Sequence, residues 1–200
     1  MKAGALLALA LCLPAAAGAD DPEALVRRSF PAASAEEIRT RLDQDEAQAL
    51  CSRYRNAPPP EVAARILESQ LATLREPADG RWLGDWREGQ KLAGIGTGGH
   101  IGRIQPDPPD RRRGGNCYAC HALAPGELAA GNLGPPLTGY GRLRGRDPEV
   151  VRYTWRKIFN PQAFVPCSLM PRFGHNGWLS DRDIADAAAF LLDPESPVNR

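Results

Sequence analysis

Cys117-Tyr118-Ala119-Cys120-His121 is the stretch on which the reading of the whole chain turns. Two thiols three positions apart can each form a thioether to one vinyl group of a porphyrin. A histidine directly after them can bind the iron through an imidazole nitrogen. This is the spacing that attaches a c-type haem, and the covalent bonds let a small domain retain a large apolar ring. A zinc site would need a second cysteine pair or a distant histidine pair at ligand spacing, and the sequence has neither. A thioredoxin-like redox pair would follow a strand and open a helix, whereas Arg111-Arg112-Arg113-Gly114-Gly115-Asn116 reads as loop.

The start of the chain bears on compartment. Lys2 precedes an apolar run from Ala3 to Ala17, and Ala17-Gly18-Ala19 fits a small-residue cleavage site. Residues 1–19 therefore read as a cleavable signal peptide, too short to span a bilayer. A lipoprotein anchor on Cys12 is the alternative, and Leu11 stands where that anchor would want a small residue. In a bacterium the mature chain is expected in the periplasm, soluble and away from the membrane. Without residues 1–19, which carry Lys2 and no acid, 24 basic residues meet 24 acidic ones. That balance argues against nucleic acid or an anionic membrane as partner. The run Arg111 to Arg113 reads as a solvated loop edge.

Residues 20–83 read as an N-terminal helical arm. Ser34 can cap a helix with Glu36 and Glu37 in its first turn, and Ile38, Leu42, Ala47, Leu50 and Tyr54 continue it at roughly helical spacing. Pro58-Pro59-Pro60 stops that helix, and Pro60 can open a second. Val62, Ile66, Leu67, Leu71 and Leu74 supply the second apolar face. Two such helices cannot bury their faces alone, so they are expected to pack as a hairpin on the following domain or on another chain.

Residues 84–200 read as an all-α domain. Asp85 is an N-cap for a helix through Ala93, and Gly89 inside it signals close crossing by another helix. The partner is the last helix, where Ser180 and Asp183 resemble a capping box and Ile184, Ala187, Ala188 and Leu191 form a stripe. A helix between them has Asp147 as cap and Pro148 at its first position, with Val150, Val151, Thr154, Trp155 and Ile158 on its buried face. Gly94 to Gly115 reads as an irregular insertion.

The sixth iron ligand follows from scarcity. Once Met1 is removed, Met170 is the sole methionine, 49 residues past His121, and a soft thioether suits haem iron and raises its potential. Its rivals are His100, in the Gly-rich insertion, His175, in a turn, and the lysines. Two cysteines, Cys51 and Cys167, remain after the haem takes its pair. In an oxidising compartment they can pair with each other. The other reading keeps one as a reactive thiol.

Together these pieces resemble a class I c-type cytochrome: a helix with an internal glycine, the haem motif, Gly134-Pro135-Pro136-Leu137, a methionine before proline and a terminal helix. More narrowly, Asn116 to His121, Gly131-Asn132-Leu133-Gly134-Pro135, Tyr140-Gly141 with Arg144-Gly145, Met170-Pro171-Arg172-Phe173-Gly174 and the ending Leu192 to Asn199 resemble the SoxX family. Its members are the monohaem subunits of the SoxAX cytochromes of bacterial sulfur oxidation. The resemblance covers residues 84–200, and the arm is similar to that of longer members. It implies that the Pro135 carbonyl accepts a hydrogen bond from His121. It also implies a heterodimer with a SoxA-type haem subunit, which carries the active-site haem and conjugates thiosulfate to a cysteine of the SoxYZ carrier. In such an L-cysteine S-thiosulfotransferase this chain holds no catalytic residue and is inactive alone. It relays electrons to a small soluble cytochrome c. A free-standing periplasmic carrier of class I type is the alternative. A haem-based gas sensor would need an open sixth site, against which the Met-Pro loop argues.

Overall fold

The computed structural model of the protein describes residues 21–98, 100–103 and 111–200. The expected signal peptide and Cys12 lie outside these, as do residues 99 and 104–110 of the insertion. Among the described residues the chain is all-α and has no strand. In order come α1 (Pro22–Arg28), α2 (Ala35–Glu37), a π turn (Ile38–Leu42), α3 (Glu46–Arg53) and α4 (Pro60–Leu71). These are followed by α5 (Trp86–Gly94), α6 (Tyr140–Arg144), α7 (Pro148–Phe159) and α8 (Asp181–Leu192). Single 3-10 turns occupy Cys117–Ala119 and Pro161–Ala163.

The crossing of α5 and α8 is the centre of the molecule. Asp85 caps α5 by accepting from the Arg87 N–H at 2.8 Å, and Ser180 and Asp183 cap α8 reciprocally. A Cβ on Gly89 would overlap the Asp186 carbonyl and the Phe190 Cβ, so glycine is what lets the two backbones meet. The Gly84 N–H donates to the Ala185 carbonyl and the Asp85 N–H to Asp186 Oδ1. Burial pushes the Asp186 carboxyl above its ordinary range, opposed by the Asp85 amide and by Arg112 at 3.5 Å. The apolar stripe expected on α8 is wider in fact: residues 184–190 and Leu192 are buried, and the helix is covered almost all round. Alanines hide this, because they fit a core or a surface equally well. Gly89→Ala tests the crossing. Alanine's propensity advantage of about 1 kcal/mol is outweighed by contacts with backbone that cannot swing aside. At about 2 kcal/mol net, the melting temperature should fall by about 4–8 °C.

Helix α7 lays Thr154, Trp155, Ile158 and Phe159 against this centre. Pro148 opens it as expected, but the Asp147 side chain makes no capping hydrogen bond. The C-terminal tail closes the other side. Asn199 Oδ1 accepts from the Gly141 and Arg142 N–H groups at the start of α6, while its amide donates to the carbonyls of Leu191 and Asp193 at the end of α8. One side chain thus caps two helices, and Val198 beside it is fully buried.

The N-terminal segment departs from the expected two-helix pattern. The helix read from Ser34 to Tyr54 is interrupted: Ser34 caps only α2, the π turn follows, and Asp43 is extended. Asp45 and Gln48 then form a second capping box that starts α3. Apolar spacing ran through the break, and a side-chain cap overrode it. Helix α1 was not anticipated from the sequence. Helix α4 begins at Pro60 but ends at Leu71, so Leu74 packs on the central cluster from outside a helix. Ala47, Cys51, Ile66 and Cys167 make a separate small core, in which Cys51 and Cys167 form a disulfide with Cα atoms 5.4 Å apart. The bond closes 116 residues of sequence, and loss of so long a constraint should cost about 3–5 kcal/mol. Thiol labelling of the denatured, unreduced protein is expected to leave both residues unmodified. A labelled Cys51 or Cys167 would return the reading to a reactive thiol.

Candidate haem-attachment site

The motif begins where α5 ends. The Gly115 N–H donates to the Leu92 carbonyl at 3.0 Å and the Asn116 N–H to the Ile95 carbonyl at 3.1 Å. Asn116 takes a left-handed conformation, φ 45°, which asparagine tolerates better than most residues. Cys117–Ala119 then form a single 3-10 turn, and the N–H groups of Cys120 and His121 both donate to the Cys117 carbonyl. Cys117 and Cys120 are both partly buried and neither is in a disulfide. Burial pushes the Cys117 thiol up to about 11, so it is neutral at pH 7. An apolar setting suits a thiol that faces a hydrocarbon ring.

A second loop lies along the motif. The Gly131 N–H donates to the Tyr118 carbonyl, the Gly134 N–H to Cys120 and the Leu137 N–H to Ala122, each within 2.8 Å. Residues 131–137 are therefore laced to residues 118–122 backbone to backbone. A Cβ on Gly131 would overlap the Ala119 carbonyl, and one on Gly134 would overlap the His121 ring. The Cε1 side of the imidazole lies against Gly134, a contact that no other residue type permits there. His121 Nδ1 is 2.8 Å from the Pro135 carbonyl oxygen. A carbonyl only accepts, so Nδ1 carries the proton and Nε2 keeps its lone pair for a ligand.

The sixth-ligand candidate stands on a separate segment. Met170 is partly buried and packs on the cluster that contains Leu92, Trp155 and Ile184, while Cys117 packs on the one that contains Ala93, Leu123 and Phe190. Both clusters are built on the α5–α8 pair. His100 is exposed. His175 is half-buried, and burial with the Arg172 charge pushes its pKa below the ordinary histidine value. Trp155 Nε1 and Arg156 Nε are buried donors with no partner among the described residues. Among the described residues no three His, Cys, Asp or Glu side chains converge as a cage for one metal ion. A haem asks for no such cage, since its thioethers and its axial nitrogen go to different atoms.

Sequence reasoning missed one role here. Arg112 was read as part of a solvated edge, yet it pairs with Glu88 at 2.7 Å, Asp183 at 3.0 Å and Asp186, tying α5 to α8 next to the motif. Arg113 lies over the Trp178 ring and donates to the Gly177 carbonyl, and Trp178 Nε1 donates to the Gly114 carbonyl. Asp183 standing one turn into a capped helix was the available signal.

No protein-family model matches the chain. It is 38% identical over 213 residues, spanning 100% of both chains, to an "Uncharacterized lipoprotein" of Aquifex aeolicus (strain VF5). Agreement at that level over the full length of both proteins shows common descent, and the chain belongs to the family of that Aquifex lipoprotein.

Proposed function

We propose that this chain is an exported, class I-type monohaem cytochrome that relays electrons as the SoxX-like subunit of a thiosulfate-oxidising enzyme. The observation that carries the reading is the attachment motif with His121 Nδ1 held on the Pro135 carbonyl and its ring close against Gly134. Cys117 and Cys120 would hold the haem, and His121 and Met170 would be its axial ligands. When bound, the haem supplies a store for one electron. The Pro135 hydrogen bond fixes the imidazole and makes Nε2 more basic. The laced loop 131–137 keeps that geometry as charge changes.

Joining thiosulfate to a cysteine thiol through a new sulfur–sulfur bond releases one proton and two electrons. A chain with one haem motif takes them singly, so the bond-forming site belongs on a partner such as a SoxA-type subunit, with SoxYZ as carrier and a small cytochrome c as acceptor. The test is haem reduction by thiosulfate in the presence of SoxYZ, with the chain alone and with SoxA. Reduction is expected only in the complex. Equal reduction of the isolated chain, or no association with SoxA, would favour a free-standing carrier.

The name of the Aquifex relative supports export and brings back an acyl anchor on Cys12. Among the described residues no helix is long and apolar enough to cross a membrane. The mass of the mature N-terminus distinguishes a chain cleaved after Ala19 from one lipidated on Cys12.

A further inference from the structure

The loop that carries Met170 has no helix or strand to hold its shape. Among the described residues its local side-chain hydrogen bond is from the Met170 N–H to Ser168 Oγ at 3.3 Å. Yet it is fastened on both sides, and each time to the N-terminal segment. Three residues before Met170, Cys167 is bonded to Cys51 of α3. Two residues after it, Arg172 reaches back to the same helix: its Nη2 lies 2.6 Å from Asp45 Oδ2, at the α3 N-cap. Arg172 Nη1 also donates to Gln70 Oε1 of α4 at 3.0 Å. Gln70 in turn accepts from Asn160 Nδ2 at 3.0 Å, and Asn160, fully buried at the end of α7, donates to Thr73 as well. The Arg172 side chain is 4% exposed. A guanidinium that deep is held by fixed partners, and both partners named here come from residues 45–70. Between the two fastenings lies a cavity of about 370 Å³, lined among others by Cys51, Gln48, Gln162 and Met170.

We infer that Asp45, Gln70 and Arg172 are positioning residues for Met170. The N-terminal segment is a clamp that holds the thioether where the sixth ligand must stand. The inference rests on the proposed reading of Met170 as that ligand, and it gives the segment a role in the redox chemistry beyond that of a structural appendage. The geometry separates it from general docking, because the segment has another tie to the domain that does not flank Met170. Arg75 pairs with Asp181 at the start of α8, its Nη1 and Nη2 each donating to a carboxylate oxygen at 2.7 Å.

Asp45→Asn is the clean variant. Asparagine keeps the N-cap to Gln48, since it caps as well as aspartate, and it removes only the charge facing Arg172. In the holoprotein it should weaken the long-wavelength iron–sulfur charge-transfer band, lower the potential and speed hydrogen exchange at the Ser168 and Met170 amides about tenfold, which is about 1.4 kcal/mol. Arg172→Lys should do the same, because one ammonium cannot reproduce the fork between Asp45 and Gln70. Arg75→Gln, the control, should leave band, potential and exchange unchanged. Three results would overturn the clamp alone: unchanged band and exchange in Asp45→Asn, unchanged band and exchange in Arg172→Lys, or an equal effect of Arg75→Gln. A wild-type holoprotein with no iron–sulfur band would overturn the clamp together with the ligand reading beneath it.

Discussion

Replacing Cys117 and Cys120 together with serine should yield a protein from which acid–acetone removes all haem and whose mass is that of the polypeptide alone. Either single variant should keep one thioether and an altered spectrum. The change in stability should exceed that of any other substitution considered. A ring the size of two or three aromatic side chains, at about 150–250 Å² each, contributes on the order of 10 kcal/mol when buried at about 25 cal/mol per Å². That rivals the whole stability of a domain, about 5–15 kcal/mol. The double variant is therefore expected to lose cooperative melting around the Ala93, Leu123 and Phe190 cluster. The Cys51–Cys167 core, which sits apart from it, should persist. Haem that acid–acetone extracts from the unmodified protein would sink the attachment reading at once.

What the sequence discloses is mostly what neighbours along the chain decide. The α5 and α8 caps, Pro60 and Pro148 at helix starts, and a glycine at the α5–α8 crossing are local statements, and they stand in the structure. The break at Asp43 was also local, since Asp45 and Gln48 spell a capping box, but continuous apolar spacing masked it. Other features depend on distances that no spacing rule reaches. Arg172 meets Asp45 across more than a hundred residues, and Asn199 links α6 to α8 only because the tail returns between them. Arg112 looked like surface charge for the same reason, as its three carboxylate partners lie on two helices that only the fold brings together. The motif was legible in its residue types. That Gly134 lies against the His121 ring emerges only when two loops are laced side by side.

Met170→Ala is the second variant with a large expected effect, and it separates retention of the haem from its tuning. Cys117 packs on a different cluster from Met170, and Cys120 lies three residues along the same short turn, so the haem should remain covalently attached and extraction-resistant. The iron–sulfur charge-transfer band should vanish. The potential should fall by on the order of 100 mV, a modest part of the about 0.8 V that axial ligands span, because the thioether is the ligand that favours reduced iron. Stability should fall less than for a core leucine, about 1–2 kcal/mol, since Met170 is only partly buried and lines a cleft open to solvent. His175 is the nearest rival in sequence. Burial and Arg172 depress its pKa, so it is neutral at pH 7 and chemically able to bind iron. The same pair of measurements on His175→Ala settles between them. Loss of the band in Met170→Ala with no change in His175→Ala supports the thioether, and an unchanged spectrum and potential in Met170→Ala would give the sixth position to another residue.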